Sequence, residues 1–230
     1  MMVSICDLWK RYLGAWALQG VSLNVEKGRV LGVLGENGSG KSTMFRILAG
    51  VTRPSKGTVQ VMGKAVGVET KQHVAYLPEI DPFYDWMCID EQMAFLSVFY
   101  PGWDMDKTRH LISFMGLDGN KKIGALSRGQ KARLKVIFAF SWPSSLVIMD
   151  EPFGSIDPPS RRRMMDALFN EFRLGEQTIL ISTHLVDEIE SFIEDVVFMK
   201  NGEVAISGSV EQVREEHGKS LSEVFELVVT

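Results

Sequence analysis

The stretch GENGSGKST, residues 35–43, has the spacing G-x-x-x-x-G-K-[ST]. Its glycines, Gly35, Gly38 and Gly40, let the backbone turn inward and aim successive N–H groups at phosphate oxygens. A helix starting there adds the positive end of its dipole. Asn37 and Ser39 fill the loop between them. Lys41 is placed to reach β- and γ-phosphates, the hydroxyl of Ser42 to bind Mg²⁺, and Thr43 to contact a phosphate as well. The chemistry these residues suit is the binding and cleavage of a nucleoside triphosphate.

Two adjacent carboxylates, Asp150 and Glu151, end the apolar run SLVIM. Neighbouring strand residues point to opposite faces, so the two acids are expected to divide their work. Asp150 can hold Mg²⁺, and Glu151 can orient or deprotonate an attacking water. His184 follows the apolar run TILIST, also at a strand's carboxyl end, where it can contact the γ-phosphate. The other histidines, His73, His110 and His217, are read as structural. A further short polar turn, LSRGQ (126–130), heads a helix: Ser127 is an expected N-cap, and Gly129 leaves the backbone open to an anion.

The elements that must carry these groups follow from periodicity. VSLNV (21–25) and TVQVM (58–62) alternate, whereas VLGVL (30–34) is almost continuously apolar, as in a strand buried on both faces. MFRILAG reads as a helix ended by Gly50. Segments 90–100, 104–115 and 128–141 read as helices, with Asp104 as an N-cap. From residue 145 the strand–helix alternation returns: SLVIMD, a helix capped by Asp157 with Pro158 and running to about Arg173, TILIST, and a hairpin turning at Asn201-Gly202. Strands alternating with helices predict a mostly parallel α/β sheet, with its site beyond the carboxyl ends of the strands.

Bulk properties narrow the function. The chain has 230 residues, a net charge of −4 and 23% charged residues, which disfavours a nucleic-acid surface. The run Arg161–Arg163 is expected on a solvated helix face. Two cysteines, Cys6 and Cys88, make neither a disulfide framework nor a metal cluster and suit a reducing, cytosolic setting. No secretory signal and no run of 18 apolar residues is present, so any membrane spans are expected on another chain.

Taken together and in this order, GENGSGKST, LSRGQ, SLVIMDEP, SIDPPSR and STH resemble the nucleotide-binding subunit of ATP-binding cassette (ABC) transporters over nearly the whole chain. The resemblance implies a P-loop NTPase (RecA-like) α/β core with an antiparallel β subdomain and an inserted α-helical subdomain. One nucleotide-binding domain would fill residues 1–230, with its core at about 1–79 and 142–230 and its helical part at about 80–141. It implies ATP and Mg²⁺ as ligands, and catalytic roles for Lys41, Glu151 and His184. Two subunits, identical or different, would pack head to tail, so that Ser127, Gly129 and Gln130 of one close over ATP held by the other. Ser155, Ile156 and Asp157 match the loop that links the two sites. Tyr12 matches the aromatic that stacks on adenine, and Trp16 is an alternative.

The sequence departs from the family pattern twice. Arg128 stands where a second glycine is common, either toward the partner's phosphate or toward solvent. Glu79, in YLPE, stands where the family usually has a glutamine; a carboxylate there can still bind Mg²⁺. The YLPE stretch and the short ending SLSEVFELVV resemble the ABC-2 exporter branch. The resemblance further implies a separate transmembrane permease, which would hold the subunit at the cytoplasmic face of the membrane and would meet the aromatic stretch around Phe83, Tyr84 and Trp86. The competing expectation is a soluble ABC-type ATPase acting on ribosomes or chromosomes. A small GTPase or kinase is excluded, because no N-K-x-D motif occurs and LSRGQ would have no role.

Overall fold

The computed structural model describes residues 1–154, 156, 161, 164–165 and 177–229. Two sheets organise it. β1 (Val3–Tyr12), β2 (Ala15–Val25), β4 (Lys56–Val61) and β5 (Lys64–Ala65) form an antiparallel sheet of order β2-β1-β4-β5. β3 (Val30–Leu34), β6 (Val74–Leu77), β7 (Leu146–Asp150), β8 (Thr178–Thr183), β9 (Asp195–Lys200) and β10 (Glu203–Ser209) form the second, of order β10-β9-β3-β8-β7-β6. Every pairing in it is parallel except the β9–β10 hairpin, which turns at Asn201-Gly202 as expected.

The apolar runs of β3, β7 and β8 are buried throughout. Alternate side chains of each strand feed different cores. Val30, Leu34, Val147, Met149, Ile179 and Ile181 pack into the core shared with the later helices. Leu31, Val33, Leu146, Ile148 and Leu180 pack into the core shared with the antiparallel sheet and the first helix. The continuous apolar pattern arises because both faces of the strand lose water, at about 1.5–3 kcal/mol per fully buried aliphatic side chain.

Helix α1 (Lys41–Leu48) follows β3 directly, and Gly50 turns the chain out of it at φ +68°. A single turn, α2 (Val68–Lys71), precedes β6. Between β6 and β7 lie α3 (Ile89–Ser97), α4 (Met105–Phe114) and α5 (Arg128–Ala139). Each is slightly shorter than its periodicity suggested. Asp104 caps α4 by accepting from the Lys107 N–H at 2.8 Å. Beyond β8 come α6 (Val186–Ile189), α7 (Val210–His217) and α8 (Leu221–Val229). The sequence reading named none of these three.

The expected helix from Asp157 to about Arg173 lies outside the described residues, apart from Arg161, Met164 and Met165. Arg161 departs from the expectation of a solvated face. It is half-buried and donates to the Ile156 carbonyl at 2.8 Å. Its neighbours Arg162 and Arg163, like Ser155 and Asp157, lie outside the described residues.

Candidate nucleotide site

Four parallel strands deliver their carboxyl ends to one place: β3 leads into the glycine loop, β7 ends in Asp150, β8 precedes His184 and β6 precedes Glu79. The loop is held by contacts that demand glycine. A Cβ on Gly35 would stand 2.5 Å from the Met199 carbonyl oxygen. Gly40, with φ +107°, caps α1, and a Cβ there would stand 2.7 Å from the Ala17 carbonyl oxygen. Left-handed backbone and close approach both exclude a side chain at Gly40.

Lys41 is 5% exposed. Its ammonium folds back onto the loop, donating to the carbonyls of Gly35 at 2.6 Å and Glu36 at 3.0 Å. Glu151 Oε1 lies 3.7 Å away. Burial pulls the Lys41 pKa below the ordinary lysine value, against the opposing pull of Glu151, Asp150 and Glu79. Ser39 has a buried hydroxyl with no hydrogen-bond partner among the described residues. Thr43 is also buried.

Asp150 is completely buried. Its Oδ1 accepts from the hydroxyls of Ser42 and Ser182, both at 2.9 Å. The Tyr76 hydroxyl stands 3.5 Å from Oδ2, and burial together with the Asp150 charge pushes the Tyr76 pKa up to about 12. Ser42 and Asp150 are hard oxygen donors of the kind Mg²⁺ takes in combination with phosphate oxygens. The pair brought together here fits that ion.

Glu151 divides from Asp150 for a reason other than strand pleating. β7 ends at Asp150, and Glu151 already has left-handed backbone at φ +46°. Its N–H donates to Ser182 Oγ at 3.0 Å. The turn swings the carboxylate between Lys41 and His184. Oε2 meets His184 Nδ1 at 3.1 Å, while Oε1 is buried and, among the described residues, without a hydrogen bond. A carboxylate oxygen aimed into the site and left without a donor is free to accept a proton from a water. The His184 side chain is 48% exposed, so it joins the carboxylate from the solvent side. The other three histidines take no part: the His73 carbonyl accepts backbone N–H groups of Ser145 and Leu146, His110 stacks on Phe114, and His217 Nδ1 lies 3.0 Å from the Val213 carbonyl.

Tyr12 and Trp16 both stay open to solvent on the β1–β2 hairpin. That hairpin passes the loop, since Ala17 abuts Gly40. Lys10 Nζ sits 4.7 Å from the Tyr12 ring, whereas Trp16 meets Trp9 edge-on.

Ser127 caps α5 with a reciprocal pair of bonds: its hydroxyl accepts from the Gln130 N–H at 3.2 Å, and Gln130 Oε1 accepts from the Ser127 N–H at 3.0 Å. Gln130 therefore serves its own helix start. Space around Gly129 is open: apart from its chain neighbours and its own helix backbone, no atom of the described residues lies within 4 Å of a would-be Cβ. The Ser127 hydroxyl proton and the first N–H groups of α5 remain available to an anion. Arg128 is exposed.

Glu79 is exposed just past β6, and its charge is felt at Lys41. Behind it stands a residue that no motif marked. Lys135 of α5 is buried and donates to the carbonyls of Pro78 at 3.2 Å and Glu79 at 2.9 Å, with Asp81 Oδ1 at 3.1 Å. Ser182 was missed as well. The available signals were a lysine inside the apolar run RLKVIFAF and a serine inside the apolar strand TILIST.

The glycine loop between a central parallel strand and its helix, with the acidic end of a neighbouring strand beside it, defines a P-loop NTPase. Residues 18–154 match the ABC transporter family. The chain is 32% identical over 220 residues to the ABC transporter ATP-binding protein YxlF of Bacillus subtilis (strain 168), covering 94% of this chain and 73% of the relative. It is 29% identical over 220 residues to the ABC transporter ATP-binding protein YtrB of the same organism, covering 95% and 75%. A solved ATP binding subunit of an ABC transporter superimposes with a TM-score of 0.84 at 25% identity over 98% of both chains. The chain belongs to the ABC transporter family and carries that family's ATP-hydrolysing cassette. Among the described residues, no helix is long and apolar enough to cross a membrane.

Proposed function

We propose that the chain is an ATPase subunit of an ABC exporter, working as a head-to-tail dimer beneath a separate permease. The observation that carries the ATPase part of this reading is the meeting of two distant motifs: Ser42 of the loop bonds Asp150, and Lys41 of the loop faces Glu151. Around that junction Gly35, Asn37, Gly38, Ser39, Gly40 and Thr43 cradle the triphosphate, and Lys41 turns from its carbonyls to the β- and γ-phosphates. Tyr12, or Trp16 beside it, stacks on adenine. Ser42 and Asp150, with Glu79 from the β6 side, would hold Mg²⁺, which when bound neutralises charge on the phosphate oxygens. Glu151 takes a proton from water through the unpartnered Oε1. The water oxygen bonds to the γ-phosphorus, the bond to the bridging oxygen breaks, and ADP leaves with that electron pair. His184 holds the Glu151 carboxylate and faces the γ-phosphate.

The second half of the site comes from another subunit, whose Ser127, Gly129 and helix start close over the γ-phosphate. Support is the capped, sterically open start of α5. A solved relative, the cassette MJ0796, is described as dimeric in a post-hydrolysis state bound to ADP and Pi; it shares the fold at TM-score 0.80 and 22% identity, over 90% of this chain and 98% of that one. Tyr84 and Trp86, exposed and in contact with each other, extend through Phe95 to Phe99 as an aromatic strip, the proposed permease surface. Phe83 turns inward instead and packs edge-on against Phe138. The subunit would sit on the cytoplasmic face through that permease.

The test is Glu151→Gln. ATP binding is expected to persist, turnover to fall by about 10²–10⁴-fold, and an ATP-bound dimer to accumulate in light scattering. Wild-type phosphate release would remove Glu151 from its role.

A further inference from the structure

We infer that Lys135 is a positioning residue that locks the Pro78–Asp81 segment, and with it Glu79, to the helix headed by Ser127. The inference rests on the nucleotide-site reading above and assigns a role to a residue outside every motif. Lys135 is 8% exposed, and its ammonium faces three oxygens: the Pro78 and Glu79 carbonyls and Asp81 Oδ1. One turn earlier, Lys131 Nζ bonds Asp85 Oδ1 at 2.7 Å. Residues four apart lie on one helix face, so α5 grips the same loop at both ends. The loop leaves β6, whose Leu77 is in register with Met149 of β7, next to Asp150. The segment that carries Glu79 therefore leaves the sheet next to the strand that ends in Asp150 and is tied on its other side to α5.

Packing does not require a lysine here. Its stem lines a 250 Å³ apolar cavity with Phe83, Tyr100, Trp103, Phe138 and Trp142. A methionine would fill the same space without a buried charge to satisfy. What methionine lacks is the set of bonds to the loop. An α-helix is stiff, and Ser127 lies eight residues, about 12 Å, along it from Lys135. A shift of the loop must therefore move Ser127, and closure of Ser127 over a nucleotide must move Glu79.

The experiment is a double-mutant cycle of Lys135→Met with Glu79→Ala, read by ATP affinity, kcat and KM. Lys135→Met alone is expected to leave ATP affinity within about twofold and to lower kcat about tenfold or more, since small misplacements cost rate heavily. Lys135→Arg is expected to restore most of it. In the Glu79→Ala background the same substitution should change kcat little, because a residue acting through Glu79 has nothing left to position. Turnover of Lys135→Met within twofold of wild type, or full additivity with Glu79→Ala, would overturn the inference. Should Lys135→Met not fold, Asp81→Asn replaces it in the cycle with the same expected non-additivity. Glu151→Gln runs in parallel. If it turns over at the wild-type rate, the reading of the site itself fails, and the role of Lys135 falls with it; if it is slow while Lys135→Met is normal, only the positioning role fails.

Discussion

Ser182 donates its hydroxyl proton to Asp150 across 2.9 Å, and the same oxygen accepts the N–H of Glu151 at 3.0 Å. One buried hydroxyl thus orients the carboxylate proposed for the metal and pins the strained turn that aims the one proposed for the water. Ser182→Ala removes a donor from a fully buried carboxylate and leaves the Glu151 N–H without its acceptor. A stability loss of about 1–3 kcal/mol is expected in chemical denaturation, together with a fall in kcat larger than any change in ATP affinity. Unchanged stability and turnover would show that the bridge holds nothing.

Lys41 gives a pH dependence with opposite signs for stability and binding. Burial holds its pKa below the usual lysine value. The folded chain therefore binds this proton less tightly than the unfolded chain does. For this group, folding is penalised below the folded-state pKa, and the penalty is relieved as pH rises from the folded toward the unfolded value. ATP affinity moves the other way, because the neutral amine no longer attracts phosphate. Calorimetric titration with ATP is expected to show affinity falling at a lower pH than an ordinary lysine would give, with proton uptake on binding in that range. A flat profile up to the ordinary lysine range would contradict it.

Trp86 is 66% exposed and stands at the outer end of the aromatic strip. Trp86→Glu is expected to leave ATPase activity of the isolated subunit within about twofold, since surface changes away from the core cost little. Co-purification with the permease from membranes should be lost. Normal co-purification would move the docking surface elsewhere.

Much of this site was legible because phosphate binding is a local demand. The residues from Gly35 to Thr43 are contiguous, and only glycine satisfies the close approaches at Gly35 and Gly40. The apolar strands were legible because burial on both faces leaves an unbroken run. What the sequence did not disclose is long-range. Ser182 acts 32 residues from Asp150, and Lys135 acts 57 residues from Pro78. A serine in a strand or a lysine in a helix acquires such a role only when the fold brings its partner near. The turn at Glu151 was hidden for a different reason: extrapolating the strand pleat by one residue gave the right separation of the acids, but the backbone had already left the strand. The helices α7 and α8 did carry local signals that were passed over: Ser209 pairs reciprocally with Gln212 and Ser220 with Glu223 at their starts, whereas α6 is a single turn too short to show a period.

In the proposed dimer, each nucleotide is enclosed by the glycine loop of one chain and the Ser127 helix of another. Mixing two inactive variants, Lys41→Ala and Ser127→Glu, distinguishes a shared site from a self-contained one. In a mixed dimer one site combines both lesions, while the other keeps an intact Lys41 loop and an intact Ser127 helix. Mixing is expected to restore ATP hydrolysis well above the sum of the separate variants. Hydrolysis that stays at that sum, in a mixture shown to form mixed dimers, would mean that each chain closes over its own nucleotide.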